Sequence, residues 1–171
     1  MNFSRRQLLL NGSLAGLALL GAGLLGRRGS GAQAADAAAP AFEVTHTEEE
    51  WQKLLTPSQF AVLRHEDTER AFTSPLNEEH RDGTFACAGC ALDLYSSKTK
   101  FESGTGWPSF WKPLDKAIGQ RSDRSFGFTR IEVHCRRCGG HLGHVFDDGP
   151  RPTGLRYCMN GVAMTFKPTA A

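Results

Sequence analysis

Residues 126–146 read FGFTRIEVHCRRCGGHLGHVF, and they carry the clearest indication of the fold in this sequence. Two apolar runs within it, Phe126–Val133 and Val145–Phe146, are predicted strands because they are short, rich in aromatic and β-branched residues, and bounded by turn residues. Between them lie two cysteines at Cys-x2-Cys spacing, Cys135 and Cys138, and the glycines that follow give a tight turn its backbone freedom. The stretch therefore predicts two strands joined through a cysteine knuckle.

The rest of the chain repeats this β pattern after two short helices. Thr47 followed by Glu50 forms a capping box that predicts one helix, and Thr56-Pro57 starts a second, with proline at its first position. Beyond the helices, short apolar runs are separated by turn residues, and no 3.6-residue period is sustained. The remaining predicted strands are Phe85–Ala86, Leu92–Tyr95, Leu155–Tyr157 and Val162–Phe166. We therefore predict one mainly β, mostly antiparallel domain over about residues 42–168, with small helices at its N-terminal end.

The composition is that of an ordinary globular domain. The chain has 171 residues, of which 40% are hydrophobic and 22% charged, so it can form one core and is too short for two. Its formal net charge is +2, but Arg5, Arg6, Arg27 and Arg28 are the only ionisable side chains before residue 35. Without them, acidic residues outnumber basic ones. This balance argues against a nucleic-acid partner, and the composition excludes disordered, collagen-like and multi-span membrane proteins.

Residues 1–34 have the pattern of an export signal peptide. The pair Arg5-Arg6 precedes an apolar stretch interrupted by glycines, and residues 32–34, Ala-Gln-Ala, resemble an A-x-A cleavage site. Paired arginines before a moderately apolar stretch are typical of the bacterial twin-arginine signal, so we expect the twin-arginine export machinery as a partner and the periplasm as the destination. Residues 35–41 would then be an Ala-rich linker. An uncleaved membrane anchor is the alternative.

Four of the five cysteines have the spacing of metal ligands. They form two Cys-x2-Cys pairs, Cys87 with Cys90 and Cys135 with Cys138, and two such pairs supply the four thiolates of a tetrahedral Zn²⁺ site. Such a site has no open coordination position, so we expect one Zn²⁺ with a structural role. Two disulfides are the alternative in an oxidising compartment, although twin-arginine export moves proteins already folded in the cytoplasm. A second alternative is a single ligand run made of Cys135, Cys138, His141 and His144.

The fifth cysteine, Cys158, has no partner by spacing. A lone cysteine is commonly a small buried hydrophobe, but two neighbours favour a reactive thiol here: Arg156 can stabilise the thiolate, and Asn160 offers an amide donor on the same face of a strand. His141 and His144 are candidate proton donors. The residues by themselves therefore predict an exported, metal-stabilised domain with one candidate reactive thiol, and they do not identify its substrate.

Three longer segments resemble one known family. Residues 101–110, FESGTGWPSF, residues 141–150, HLGHVFDDGP, and residues 152–160, PTGLRYCMN, are similar to the signatures of peptide methionine-R-sulfoxide reductase, the MsrB family. The likeness extends from about Phe72 to Phe166, and the cysteine pairs occupy the positions of the family's zinc ligands. It implies an open, barrel-like domain of two antiparallel sheets, as in MsrB and Mss4-like proteins, and the reduction of methionine R-sulfoxide in proteins.

The resemblance also implies roles in the chemistry. Cys158 corresponds to the catalytic nucleophile, whose thiolate attacks the sulfoxide sulfur and is left as a sulfenic acid. His141 and His144 correspond to the pair that binds and protonates the sulfoxide oxygen, which is a poor leaving group until it is protonated.

Four further residues match the family's site. Trp107 corresponds to the ring against which the methyl group of the substrate packs. Asn160 and Arg156 correspond to residues that form hydrogen bonds around the nucleophile and polarise it. Asp148 is expected in the substrate site, where it would orient a histidine.

One departure from the family concerns how the enzyme is regenerated. Many members carry a second, resolving cysteine where this chain has Thr105, and threonine cannot form a disulfide with Cys158. We therefore expect an external thiol reductant, such as a thioredoxin-like protein, to reduce the sulfenic acid, rather than a zinc-site cysteine. Oxidised proteins are the expected substrates, and the protein is expected to be a monomer. The alternative function is a non-catalytic zinc-knuckle binding module, which would not need Cys158, the two histidines and Trp107 together.

Overall fold

The computed structural model describes residues 42–125 and 127–170. The predicted signal peptide, residues 1–34, and the predicted linker, residues 35–41, lie outside the described residues. Within the described ranges, the helices are too short or too polar to cross a membrane.

Both predicted helices are present, and both begin with a capping box. Helix α1 spans Glu48–Leu54, where the Thr47 hydroxyl accepts a hydrogen bond from the Glu50 N–H and the Glu50 carboxylate accepts one from the Thr47 N–H. Helix α2, Pro57–His65, repeats this arrangement with Thr56 as its cap. These side chains satisfy backbone N–H groups that have no partner inside a helix, so each helix begins at a defined residue.

The described residues form nine strands in two antiparallel sheets. In chain order the strands are β1 Gly83–Cys87, β2 Asp93–Ser96, β3 Lys100–Phe101, β4 Ser109–Phe110, β5 Ile118–Asp123, β6 Arg130–Cys135, β7 His141–Phe146, β8 Arg156–Met159 and β9 Met164–Pro168. One sheet has the order β2-β1-β9, and the other has the order β3-β4-β8-β7-β6-β5. The predicted fold class, mainly β with two antiparallel sheets and short N-terminal helices, is therefore confirmed.

Each of the six predicted apolar runs overlaps an observed strand, whereas three observed strands are not predicted. The run Phe126–Val133 overlaps β6, although its first residue lies outside the described residues. Strands β3 and β4 have only two residues each, too few to show a period. Strand β5 has the polar sequence IGQRSD and lies at the edge of the six-stranded sheet, where its residues are exposed or half-buried. An edge strand of this kind carries no hydrophobic pattern to detect.

The core lies between the two sheets, and a group of aromatic side chains packs together within it. The ring centroids of Phe85 in β1 and Phe110 in β4 are 4.9 Å apart, and Tyr95 in β2 stacks on Phe110 at 4.3 Å. The Tyr95 hydroxyl donates a hydrogen bond to Met159 Sδ in β8 at 3.1 Å. Each aromatic pair contributes about 0.5–1.5 kcal/mol beyond the burial of its area. Because this core covers one face of the six-stranded sheet, polar side chains occupy the other face.

Candidate active site and metal centre

The candidate site lies on the polar face of the six-stranded sheet, where the strand register sets a row of functional side chains. Residues directly opposite each other in antiparallel strands project from the same face. The register pairs Cys158 in β8 with Ser109 in β4 on one side and with His144 in β7 on the other. Across the next two strands, His144 faces Glu132, and Glu132 faces Arg121. One row of the sheet therefore holds a thiol, a histidine and a carboxylate–guanidinium pair.

A β-bulge in β7 places His141 on the same face as His144. Residues three apart in a regular strand project from opposite faces. Here the register shifts, because Val133 pairs with Gly143 and the next residue of β6, His134, pairs with His141. The extra residue at Leu142 turns the spacing of three into an effective spacing of two. The sequence motif His-x-x-His thus becomes a pair of rings with centroids 5.4 Å apart.

Cys158 lies in the wall of a small pocket. The pocket has a volume of about 180 Å³, and its lining includes Trp107, His144, Cys158 and Asn160 together with Thr68, Arg130, Gly143 and Phe146. The thiol is half-buried, and the Thr105 hydroxyl lies 3.7 Å from its sulfur. The structure therefore brings four of the sequence-predicted site residues to one cavity. His141 is buried behind His144 and does not line it.

Each histidine is held by a carboxylate. His144 Nε2 lies 2.8 Å from Asp123 Oδ2, and Arg130 binds the same oxygen at 2.7 Å. His141 Nδ1 lies 2.8 Å from Glu132 Oε1. Carboxylate partners of this kind fix the orientation of the imidazole ring and leave its other nitrogen for chemistry. In His141 that other nitrogen, Nε2, is buried and has no hydrogen-bond partner among the described residues.

Burial and hydrogen bonding shift the pKa values of these histidines and carboxylates in opposite directions. Burial lowers the pKa of His144, and the hydrogen bond to Asp123 only partly offsets this shift. Hydrogen bonds from the Ser125 side chain and backbone, and then from His144, hold the pKa of Asp123 well below its usual value. Burial alone would raise the pKa of Glu132, but hydrogen bonds from His141 and Arg121 outweigh it and lower that pKa. Both carboxylates are therefore ionised near neutral pH, whereas His144 is mostly neutral.

Asp148 does not orient a histidine, contrary to the expectation from the sequence. Its two carboxylate oxygens accept hydrogen bonds from Arg156 Nε and Nη2, each at 2.8 Å. This bidentate pair lowers the pKa of Asp148 and raises the pKa of Arg156, on which Cys158 acts in the same direction. The Arg156 guanidinium also lies 4.4 Å from the centre of the Phe146 ring. Asp148 therefore fixes the arginine two residues before Cys158, and Asp123 and Glu132 orient the histidines.

Glu69 joins the two other residues that frame the pocket. Its N–H donates to Asn160 Oδ1 at 3.0 Å, and its carbonyl oxygen accepts from Trp107 Nε1 at 3.1 Å. Its carboxylate accepts hydrogen bonds from the N–H groups of Gly161 and Val162, directly after Asn160. Burial raises the pKa of Glu69, and these two N–H groups oppose the shift. The segment before the first sheet is thereby attached to both walls of the pocket.

Sequence reasoning did not identify Glu69, Asp123 or Glu132. Each acts on a site residue that is distant in sequence, so no motif spacing contains it. Glu132 offers the only local signal, because it is a charged residue between the apolar Ile131 and Val133 in a predicted strand. A buried charge in that position indicates a paired or functional group.

The four knuckle cysteines form the predicted metal centre. Their sulfur atoms all lie within 4.8 Å of one another, with Cys87 and Cys138 at 3.7 Å and Cys90 and Cys135 at 3.5 Å. Four sulfurs around a tetrahedral Zn²⁺ at 2.3 Å would be about 3.8 Å apart, so the cluster fits a metal ion. The distances are much longer than a disulfide bond of about 2.05 Å.

The alternative ligand arrangements do not fit the structure. All five cysteines are free thiols, which is at odds with the two-disulfide interpretation. The run of Cys135, Cys138, His141 and His144 is also wrong, because both histidines are bound to carboxylates on the sheet face. Helix α2 supports the knuckles instead, since Arg64 Nη1 donates to the Cys138 carbonyl at 3.1 Å.

Comparison with known proteins gives one consistent family. Residues 55–168 match the model of the SelR domain. A protein of Leptospira interrogans named peptide methionine sulfoxide reductase MsrB is 51% identical over 127 residues, covering 74% of this chain and 97% of that protein. Proteins of the same name from Methanosarcina barkeri and Pseudomonas putida are 53% and 52% identical, covering 72% and 74% of this chain and 88% and 96% of their own lengths. The chain therefore belongs to the SelR domain family, the family of the MsrB proteins.

Proposed function

We propose that this protein is a methionine sulfoxide reductase that reduces the R epimer of methionine sulfoxide in oxidised proteins. The observation that carries the proposal is that Cys158 lines one small pocket together with Trp107 and His144. A thiol nucleophile, a ring for the methyl group and a proton donor are the three groups that the reaction needs. Family membership and the name of the relatives point to the same chemistry.

In the first step the Cys158 thiolate attacks the sulfoxide sulfur while the sulfoxide oxygen takes up a proton. The hydroxyl then moves from the methionine sulfur to the cysteine sulfur: the methionine S–O bond and the new S–S bond break, and the S–O bond of the cysteine forms. Methionine is released as a thioether, reduced by two electrons, and Cys158 becomes a sulfenic acid, oxidised by two electrons. Arg156 favours the attacking thiolate, and Asp148 holds the guanidinium in place.

His144 is the residue best placed to deliver the proton. It lines the pocket and is directly opposite Cys158 in the sheet, and Asp123 holds its ring. His141 lies one layer further in, within 5.4 Å of the His144 ring. We assign it the role of supporting the His144 ring, with its own ring held through Nδ1 by Glu132. Asn160, fixed by Glu69, forms the opposite side of the pocket.

An external thiol completes the cycle. Four of the five cysteines belong to the metal cluster, and Thr105 occupies the place beside Cys158 from which a cysteine could form a disulfide. One thiol condenses with the sulfenic acid and releases water, and a second thiol displaces Cys158 from the mixed disulfide. A thioredoxin-like protein is the reductant that we propose. The protein acts as a monomer in this scheme.

The metal that we propose for the four-cysteine cluster is one Zn²⁺, bound by Cys87, Cys90, Cys135 and Cys138. Thiolate ligands at this spacing suit zinc, and four protein ligands leave no position for substrate. When bound, zinc supplies structural stability and takes no part in the reaction. The cluster joins the β1–β2 turn to the β6–β7 turn, so it fixes one sheet against the other.

We also propose export to the bacterial periplasm by the twin-arginine machinery. The support is the sequence of residues 1–34, with residues 35–41 as a linker to a domain over residues 42–168. Replacing Arg5 and Arg6 together by lysine should leave the protein in the cytoplasmic fraction. Periplasmic accumulation of the double variant would contradict this route.

The experiment that tests the activity uses a peptide with a single methionine sulfoxide, supplied as separate R and S epimers with dithiothreitol. The wild-type protein should consume the R epimer, and Cys158→Ser should consume neither. A wild-type protein that reduces neither epimer, or a variant as active as the wild type, would contradict the proposal. If the protein were a non-catalytic zinc-knuckle module, the wild type would reduce neither epimer. That alternative does not explain why a thiol, two carboxylate-bound histidines and Trp107 lie close together.

A further inference from the structure

A chain of three hydroxyl groups ends at the sulfur of Cys158. Ser109 Oγ lies 2.7 Å from Ser103 Oγ, Ser103 Oγ lies 2.8 Å from Thr105 Oγ1, and Thr105 Oγ1 lies 3.7 Å from Cys158 Sγ. Ser109 is only 1% exposed and is directly opposite Cys158 in the sheet. The hydroxyls therefore connect the thiol with the loop that carries Trp107.

The donors in this chain follow from a count of protons. The Ser109 hydroxyl donates to the Trp107 carbonyl oxygen at 3.1 Å, and a hydroxyl has a single proton to give. Ser103 must then donate to Ser109, and Thr105 must donate to Ser103. The Thr105 hydroxyl then has no proton left to donate to the sulfur, so it can only accept a hydrogen bond from it. This direction of the chain suits Cys158 as a thiol, whose S–H donates to Thr105.

The direction must reverse when Cys158 becomes a thiolate, because the sulfur can then only accept. Thr105 turns its hydroxyl proton to the sulfur, and Ser103 donates to Thr105 in its place. The hydrogen bond between Ser103 and Ser109 then persists only if Ser109 is the donor. Ser109 must therefore give up its hydrogen bond to the Trp107 carbonyl oxygen. One proton leaving the thiol thus reorients three hydroxyls.

We propose that Thr105, Ser103 and Ser109 form a hydroxyl relay that stabilises the Cys158 thiolate and couples its charge to the backbone of Trp107. Thr105 contacts the reacting sulfur, whereas Ser103 and Ser109 are positioning residues that act through it. The relay deepens the proposed reductase function and rests on Cys158 as its nucleophile. It gives Thr105 a role of its own beside the reacting sulfur.

Other charged groups also face the thiol, and the test must hold them constant. From β8 comes Arg156 with its partner Asp148, from β7 comes His144 with its partner Asp123, and from β6 comes Arg130, which lines the pocket. Substitutions confined to the hydroxyls of residues 103 and 105 keep all of these charges. A change in the titration of the thiol can therefore be assigned to the relay.

The experiment measures alkylation of Cys158 by iodoacetamide against pH in the full chain, with the modified peptide quantified by mass spectrometry. Thr105→Val has nearly the same shape as threonine but no hydroxyl, and it should raise the midpoint pH of alkylation by about one unit, because it removes a hydrogen bond to the charged form. Thr105→Ser restores a hydroxyl and should return the midpoint to the wild-type value. Ser103→Ala interrupts the hydroxyl chain, so Ser109 keeps its hydrogen bond to the Trp107 carbonyl when the thiolate forms. This variant should therefore shift the midpoint in the opposite direction, to lower pH, by a smaller amount.

Three results separate the possible failures. A wild-type midpoint in Thr105→Val would overturn the relay. A shift in Thr105→Val with none in Ser103→Ala would also overturn it, since Thr105 would then act as an isolated donor. The alkylation needs no sulfoxide, so a shift in both variants of a protein that reduces neither epimer would support the relay and refute the reductase. Thermal unfolding of each variant confirms that the fold is retained.

Discussion

The two histidines of the site differ in their exposure to the pocket and in their hydrogen-bond partners. His144 lines the pocket that contains Cys158 and is held by Asp123, whereas His141 is buried, and its Nε2 atom has no partner among the described residues. Burial lowers the pKa of His144, so near neutral pH only a minor fraction of this ring is charged. A general acid with a low pKa gives up its proton readily, which suits protonation of a weakly basic sulfoxide oxygen.

We predict that His144→Gln lowers kcat for the R epimer by about 10²–10⁴-fold, the usual contribution of a positioned general acid. The substitution keeps a hydrogen-bonding group of similar length but removes the titratable ring. Steady-state kinetics on the sulfoxide peptide with dithiothreitol would measure it. A kcat within threefold of the wild-type value would contradict the assignment of His144 as proton donor.

Glu132 gives a prediction about stability against pH. Hydrogen bonds from His141 and Arg121 lower its pKa in the folded protein, so the ionised carboxylate favours the folded state. For a carboxyl with a lowered folded pKa, this stabilisation is complete above its ordinary value of 4.5 and is lost as the pH falls through the lowered value. The free energy of unfolding should therefore decrease below about pH 4.5.

Urea unfolding at a series of pH values measures this dependence. Glu132→Gln, which has nearly the same shape but no charge, should show a weaker decrease over the same pH range and a lower stability near neutral pH. Identical pH dependence in the wild type and the variant would show that Glu132 does not contribute.

At the scale of elements, the pairing of β7 with β8 is what assembles the active site. The bulge at Leu142 brings both histidines to one face, and Gly143 lets the backbone of β8 approach closely. Gly143 has φ 155°, and a Cβ built on it would lie 2.1 Å from the Cys158 carbonyl oxygen. No side chain larger than hydrogen fits there without moving the strand that carries the nucleophile.

We predict that Gly143→Ala destabilises the protein by more than about 3 kcal/mol, since overpacking against backbone typically costs 1–3 kcal/mol and rigid strands cannot shift aside. Gly104→Ala is the matched control: Gly104 also has a positive φ, 72°, but a Cβ there would meet nothing within 4 Å. The control should lose only about 1 kcal/mol from backbone strain. Equal losses of unfolding free energy in the two variants would contradict the close approach.

At the scale of the whole molecule, the cysteine cluster connects the two sheets at one end of the shared core. Cys87 belongs to β1 and Cys135 to β6, and Trp51 of α1 and Leu63 of α2 lie beside the same turns. The pocket beside Cys158 is lined mainly by residues of β7 and β8 and by Trp107, and none of the four knuckle cysteines is among its lining residues. Stability and chemistry are thus carried by separate parts of one domain.

Removal of the metal should therefore unfold or loosen the protein rather than selectively stop the reaction. We predict that stripping it with a chelator lowers the melting temperature by roughly 10 °C or more, because binding to such a site is coupled to folding. The zinc content should be one per chain by elemental analysis, and Cys158→Ser, as a control, should keep it. A protein without metal and with two disulfides among the knuckle cysteines would contradict the prediction.

Much of the fold could be predicted from local sequence patterns, and the elements that could not be predicted were missed for physical reasons. The capping box at Thr47, the proline after Thr56 and the apolar runs are local signals, and each corresponds to an observed element. Strand β5 escaped prediction because an exposed edge strand needs no apolar alternation. It nevertheless supplies Arg121 and Asp123, which bind the site's carboxylate and histidine through side chains.

The amino-acid pattern predicts a β domain, four thiols at metal-ligand spacing, a fifth thiol and the motifs around it. Residue types and spacings carry that information, because knuckles, caps and strands are local. The partner of each group depends instead on contacts between distant segments of the folded chain. Asp148 holds Arg156, Asp123 and Glu132 hold the histidines, and three hydroxyls lead to Cys158. Those contacts depend on strand register and on one bulge, which only the pairing of distant segments can set.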